Sequence, residues 1–167
     1  MSYKDFFKYK KIAVVGIGPH GEMIADIKFL LKLSGDISVY DIRSESRLHG
    51  FVDSIKSFGL VNCSFGGVNG DDLAQADLII LSPEISRKAL FLKKAFQAGV
   101  KIEYPNVLFL KLAPPITLIG IMGACGKSTI AHMLYSILKK SFVEYEDQGL
   151  YFIDPDVWGN WLKFCES

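Results

Sequence analysis

The run Lys11-Ile-Ala-Val-Val-Gly-Ile-Gly-Pro-His-Gly21 decides how this chain folds. Lys11 to Val15 is short, apolar and rich in β-branched residues, the pattern of a buried strand. It breaks into glycines at positions 16, 18 and 21, which is the spacing Gly-x-Gly-x-x-Gly. Apolar residues then return with helical period at Met23, Ile24, Ile27, Leu30, Leu31 and Leu33, and Gly35 supplies a C-terminal stop. Strand, glycine turn and helix in this order make a phosphate-binding turn of the dinucleotide type. Gly16 permits the tight turn, Gly18 lets a diphosphate approach the backbone, and Gly21 lets the helix pack on the strand. A second strand, Ile37 to Tyr40, ends at Asp41, the acidic residue such a fold carries after its second strand.

The alternation continues downstream. Leu48, Phe51, Val52, Ile55 and Phe58 sit at helical spacing, with Gly59 as terminator. Val61 to Phe65 reads as a third strand, Gly66 to Gly70 as a loop, and Leu78 to Leu81 as a fourth strand. Arg87 to Ala98 reads as a helix stopped by Gly99, and Val100 to Tyr104 as a fifth strand. Strands alternating with helices predict an α/β fold, a Rossmann-like parallel sheet with helices on both faces.

A second glycine turn stands a hundred residues on. Ile116 to Ile121 reads as a buried strand, and Lys127 opens a helix through Ala131, Leu134, Tyr135 and Leu138. Between them Gly120, Gly123 and Gly126 give Gly-x-x-Gly-x-x-Gly-Lys-Ser-Thr, a phosphate-binding loop. Its glycines let the backbone curl so that N–H groups face phosphate oxygens, beside a helix N-terminus of positive potential. Lys127 would reach the outer phosphates and the Ser128 hydroxyl would complete the shell of a Mg²⁺. Ala113-Pro-Pro115 is the best linker in the chain. It separates a Rossmann-like domain, residues 1–112, from the beginning of a P-loop unit, residues 113–167. Past the helix, Phe142 to Glu146 and Leu150 to Ile153 suggest two strands joined by a turn at Asp147 to Gly149. The second unit is therefore expected to be an incomplete, truncated P-loop α/β unit.

Composition narrows the function classes. The net charge is +1, which gives no electrostatic case for nucleic acid or an acidic membrane as partner. The longest uncharged apolar run, Leu112 to Cys125, is interrupted by Pro114, Pro115 and glycines, and no signal-peptide segment opens the chain. Cys63, Cys125 and Cys165 are scattered, as are His20, His49 and His132, so neither a disulfide frame nor a zinc site is expected. The expectation is a soluble cytoplasmic protein without membrane insertion.

Several of these features resemble the Mur ligase family. The second glycine loop is similar to the ATP loop of Mur ligases and folylpolyglutamate synthetases, with Met122 and Ala124 where threonines are usual and Cys125 where asparagine is usual. Gly16 to Gly21 follows the first strand as in the family, and Tyr40-Asp-Ile-Arg43 is similar to its Asp-x-Arg, which contacts uracil. Ala76-Asp-Leu-Ile-Ile-Leu-Ser-Pro83 resembles its strand ending in Ser-Pro-Gly, with Glu84 in the place of the glycine. Ala98-Gly-Val-Lys-Ile102 completes the match, which is nearest the branch that joins D-glutamate to UDP-N-acetylmuramoyl-L-alanine.

The resemblance implies the N-terminal portion of an ATP-dependent amide ligase of peptidoglycan precursor synthesis. Gly16, Ile17, Gly18 and Gly21 would hold the diphosphate of a UDP-sugar or line its uridine site. Asp41, Ile42 and Arg43 would bind uracil or ribose, and Ser82 and Pro83 would edge the groove. Gly123, Ala124, Cys125, Gly126, Lys127, Ser128 and Thr129 would hold the phosphates of ATP, with Ser128 on Mg²⁺ and Lys127 neutralising charge in catalysis. In the family, ATP phosphorylates a substrate carboxylate and an amino-acid amine attacks the acyl phosphate, giving an amide, ADP and phosphate. The metal-binding Glu and His, the modified lysine and the C-terminal domain that this needs would follow residue 167, so the chain alone is expected not to form the amide. The residues leave two other readings open: an NAD(P)-binding module of a dehydrogenase with Asp41 on the ribose, and a non-catalytic nucleotide sensor.

Overall fold

The structure, a computed structural model, describes residues 3–34, 36–59, 61–112 and 119–142. The chain divides into two compact units, Met1–Ala113 and Pro114–Ser167. The first contains α1 (Tyr3–Phe7), β1 (Lys11–Val15), α2 (Ile24–Leu31), β2 (Asp36–Asp41), α3 (His49–Lys56) and β3 (Asn62–Phe65). It continues with α4 (Gly70–Leu73), β4 (Leu78–Leu81), α5 (Lys93–Gln97), β5 (Lys101–Glu103) and α6 (Pro105–Leu112).

The five strands form one sheet in the order β3-β2-β1-β4-β5, and every pairing is parallel. β1 is central, with Val15 opposite Tyr40 of β2 on one side and Leu81 of β4 on the other. Parallel strands are covered on both faces, which is why β1 and β4 read as continuous apolar runs. Alternation along the strands sends Ala13, Val15, Ile79, Leu81 and Ile102 to one face, where they pack with Leu73, Leu92 and Ala95. The opposite face holds Ile12, Val14, Ile37 and Val39, all buried. Chain order after β1 runs outward through β2 and β3, then returns to β4, so the loops after β1 and β4 diverge at the carboxyl end of the sheet. Ligands bind in the crevice at such a switch point.

Local chemistry changes several expected boundaries. The loop expected over Gly66 to Gly70 ends early, because Asn69 caps a short helix: its side chain accepts the Asp71 N–H at 3.0 Å. The helix expected from Arg87 begins later, as a 3₁₀ turn at Leu90–Leu92 leading into α5. Ser86 diverts the preceding backbone by accepting the Lys88 N–H on its hydroxyl and the Ala89 N–H on its carbonyl. α6 was not expected. Pro105 opens it at the first helical position, where its missing N–H costs nothing. Val61, Val100 and Tyr104 flank their strands rather than join them.

In the second unit α7 spans Lys127–Phe142, which places Phe142 in the helix and not in a strand. Residues 119–126 form no strand, contrary to the strand expected through Ile121, and Ile119 is 61% exposed. A strand needs a partner for its backbone hydrogen bonds, and no strand lies among the described residues of this unit. The expectations on 116–118, 143–146, 147–149 and 150–153, on Gly35 and on the 113–115 linker fall outside the described residues. Among those described, no helix is long and apolar enough to cross a membrane.

Candidate functional site

The glycine turn leaves β1 at the switch point, and each glycine has a different neighbour. Gly16 has φ +88°, and a Cβ there would lie 2.6 Å from Ile85 Cδ1 and 2.8 Å from Ser82 Cβ. Gly16 is thus what lets the loops after β1 and β4 touch. Gly21 has φ +81°, and a Cβ there would lie 2.7 Å from the Phe51 ring, so the third glycine admits α3 as well as α2. Gly18 has φ +85°, and its bare face is covered by the Glu22 side chain.

Asp41, at the end of β2, ties this turn down. Its Oδ2 accepts the Ile17 N–H at 2.9 Å and Arg43 Nη2 at 2.7 Å. Its Oδ1 accepts the Arg43 N–H and Nε, both at 2.9 Å. Arg43 Nη2 also donates to the Gly18 carbonyl at 3.0 Å. One buried carboxylate therefore joins the turn after β1 to the loop after β2. Burial pushes the Asp41 carboxyl up, but hydrogen bonds from Arg43 and Ile17 outweigh it and hold the group below its ordinary range. Asp41 bonding raises the Arg43 guanidinium, with Glu84 and Glu22 adding to it through space.

The other expected residues gather at the same end of the sheet. Ile17 is fully buried, so it offers its surroundings backbone alone. Ile42 is 59% exposed beside Arg43, whose side chain is about a quarter exposed. Ser82 is buried, with its hydroxyl 3.4 Å from Glu84 Oε1, and Pro83 is exposed.

Two groups that the sequence did not single out shape the crevice. Glu103, buried at the end of β5, pairs with Arg87 and Lys111. The Arg87 guanidinium stacks 5.0 Å over the Tyr104 ring, whose hydroxyl donates to Ile85 O at 3.1 Å. This chain of contacts fixes Ile85 against Gly16. Glu22 is the second group: its Oε2 accepts the His20 N–H at 3.0 Å. An acid directly after the third glycine of an anion-binding turn was a signal available in the sequence. A cavity of about 230 Å³ lies elsewhere, alongside β1 and β2 between Lys11, Asp36, Tyr40 and Gln75, and contains none of these groups.

In the second unit the loop Gly123 to Gly126 leads into α7, with Gly126 at φ +76° and its carbonyl accepting the Ile130 N–H at 2.9 Å. Lys127 Nζ folds back to donate to Gly123 O at 2.9 Å. Ala124, Cys125, Ser128 and Thr129 are exposed around it. An ammonium and the N-terminus of a 16-residue helix on one exposed loop suit a polyphosphate, and the Ser128 hydroxyl is an oxygen that a phosphate-bound Mg²⁺ could share. Among the described residues no group of His, Cys, Asp and Glu could itself hold a metal ion.

The Mur ligase MurD-like N-terminal domain family matches residues 10–103, from the approach to β1 through the end of β5. A UDP-N-acetylmuramoylalanine–D-glutamate ligase of Clostridium botulinum (strain Loch Maree / Type A3) is 34% identical over 138 residues, covering 83% of this chain and 29% of that protein. The protein of the same name from Roseiflexus sp. (strain RS-1) is 28% identical over 134 residues, covering 80% of this chain and 28% of its own. The solved structure of a pseudomurein peptide ligase type C from Methanothermus fervidus aligns with TM-score 0.48 and 30% identity, covering 79% of this chain and 26% of that one. The chain thus spans under a third of the length of the curated relatives it matches. With more than half of its residues matched by one family over an intact five-stranded sheet, the chain belongs to the Mur ligase family as a MurD-like N-terminal domain.

Proposed function

We propose that the first unit binds a UDP-sugar of the UDP-N-acetylmuramoyl-L-alanine type, and that Gly123 to Thr129 bind the phosphates of ATP with Mg²⁺ at Ser128. The chain is then the N-terminal portion of an ATP-dependent, ADP-forming ligase that adds D-glutamate in peptidoglycan precursor synthesis. One observation carries this reading. Inside the family-matched residues, the Gly16–Gly21 turn, Arg43 and the Ser82-Pro83 step meet at the carboxyl ends of β1, β2 and β4.

The roles follow from the chemistry of each group. The Gly18 region and the part-exposed Arg43 guanidinium take the diphosphate, since Arg matches phosphate oxygens with paired donors. Asp41 acts through Arg43 and the Ile17 N–H, because its four hydrogen bonds are made within the protein. Ile42 offers an exposed apolar flank for a planar base. In the second unit Lys127 must release the Gly123 carbonyl to meet a phosphate, and its charge then stabilises the charge that builds up on transfer. ATP supplies the phosphoryl group that makes a carboxylate reactive toward an amine.

Calorimetric titration with UDP-N-acetylmuramoyl-L-alanine tests the first half, with NADH in a parallel cell. Micromolar binding of the UDP-sugar with NADH silent is expected. Binding of NADH alone would transfer the crevice to the dehydrogenase class and overturn the proposal.

A further inference from the structure

The anion position beside Gly18 already holds an anion, and it is the protein's own. Glu22 Oε2 accepts the His20 N–H at 3.0 Å. A Cβ placed on Gly18 would lie 2.0 Å from that same oxygen and 3.0 Å from Glu22 Cδ. The glycine face that a diphosphate would approach is therefore in van der Waals contact with a carboxylate. Carboxylate and phosphate oxygens seek the same partners, backbone N–H groups of a tight turn, so one must leave before the other enters. The surrounding charge sharpens the competition. Arg43 is bonded to Asp41 and lies in the field of Glu22 and Glu84, so three carboxylates share one guanidinium. A diphosphate arriving with Glu22 in place meets net repulsion.

Glu22 can leave at small cost to the fold. It precedes α2, its side chain is only half buried, and its Oε2 bond reaches two residues back along the same turn. Rotation about its side-chain torsions frees the His20 N–H and the Gly18 face without moving β1 or α2. The backbone of the turn is held independently. The Met23 N–H donates to Ile17 O at 3.0 Å, the Ile24 N–H to Gly21 O at 3.0 Å, and Arg43 to Gly18 O at 3.0 Å.

We infer that Glu22 gates this crevice: its carboxylate stands in for the diphosphate on Gly18 and the His20 N–H and must swing out before a nucleoside diphosphate can bind. The inference rests on the proposed UDP-sugar site and names the residue that sets its affinity for the phosphates. A residue that merely braces the turn would act in the opposite sense, since its removal would loosen the turn and weaken binding.

The test is calorimetry on the full chain with UDP and with uridine, for the unmodified protein, Glu22→Gln and Glu22→Ala. Removing a charged competitor for a backbone N–H should tighten UDP binding about tenfold in Glu22→Ala, with Glu22→Gln between the two. Uridine, which has no phosphate, should bind all three alike. UDP affinity unchanged or weakened in both variants overturns the gate while leaving the UDP site in place. Equal tightening of uridine also overturns it, because the effect would then not lie at the diphosphate. Failure of all three proteins to bind UDP overturns the gate and the proposed function together.

Discussion

Replacing Asp26 with asparagine should remove a pH dependence from the stability of the first unit. Asp26 lies in α2 at 4% exposure, and among the described residues its Oδ2 has no hydrogen-bond partner. Burial without a partner disfavours the charged carboxylate and pushes its pKa from 3.8 up to about 8. The sign follows from proton counting. Between those values the folded protein keeps the proton and the unfolded chain releases it, so rising pH favours unfolding. The stabilisation belonging to this group is complete below pH ~4 and is lost as the pH rises through ~8. One proton of difference corresponds to about 1.4 kcal/mol per pH unit, or roughly 2.7 kcal/mol between pH ~5 and pH ~7. Asparagine has nearly the same shape and no ionisation, so its stability difference from the unmodified protein should grow across that interval. The assay is urea unfolding of the full chain at several pH values, following the cooperative transition of the first unit. Subtracting the two proteins cancels the histidines and surface carboxylates they share. A difference that stays constant from pH ~5 to ~8 would refute the claim that burial holds the Asp26 carboxyl protonated in the folded protein.

Further outcomes follow from the same structure. Lys127→Ala should abolish ATP binding and leave UDP-sugar binding intact; unchanged ATP affinity in calorimetry would remove the phosphate-loop assignment. Arg43→Ala should weaken UDP-sugar binding and cost about 2 kcal/mol in urea unfolding near neutral pH, because it strips two charged hydrogen bonds from buried Asp41. The folded Asp41 carboxyl is depressed, so that contribution is present above its unfolded pKa and lost as pH falls through the folded one; the variant should flatten the acid limb below about pH 4. Gly21→Ala should destabilise by roughly 1–3 kcal/mol, since it adds a side chain at φ +81° and drives it against Phe51. Gly21→Ala with an unaltered unfolding midpoint would contradict the packing of α3 on the turn.

The elements most legible in the sequence were those whose signal is local and repeated. β1 and β4 are short apolar runs ended by turn residues, continuous because both faces of a parallel sheet are covered, and β2 alternates with Ile37 and Val39 buried. α6 went unread because Pro105 was not weighed as a first helical residue, and α4 because Asn69 was passed over as a cap. The strand expected through Ile121 illustrates the limit of an apolar run: hydrophobicity makes burial favourable, but pairing needs a neighbour that sequence cannot supply. Asp26 was legible and missed, since it stands three residues after Met23 and four before Leu30, inside the apolar stripe of α2. The parts of the candidate site that could not be read are those that depend on closure between loops. Sequence suggests that Asp41 contacts a ligand. Its orientation toward Ile17 and Arg43 arises only when β1 and β2 pair and bring their loops together. Glu22 over Gly18 is likewise a property of the folded turn.

The most direct test of the UDP-sugar site is a structure of the full chain with UDP-N-acetylmuramoyl-L-alanine bound. The diphosphate should lie against Gly18 and the His20 N–H, within hydrogen-bond reach of Arg43, with the uracil beside Ile42. A UDP-sugar seated away from the carboxyl ends of β1, β2 and β4 would contradict the account.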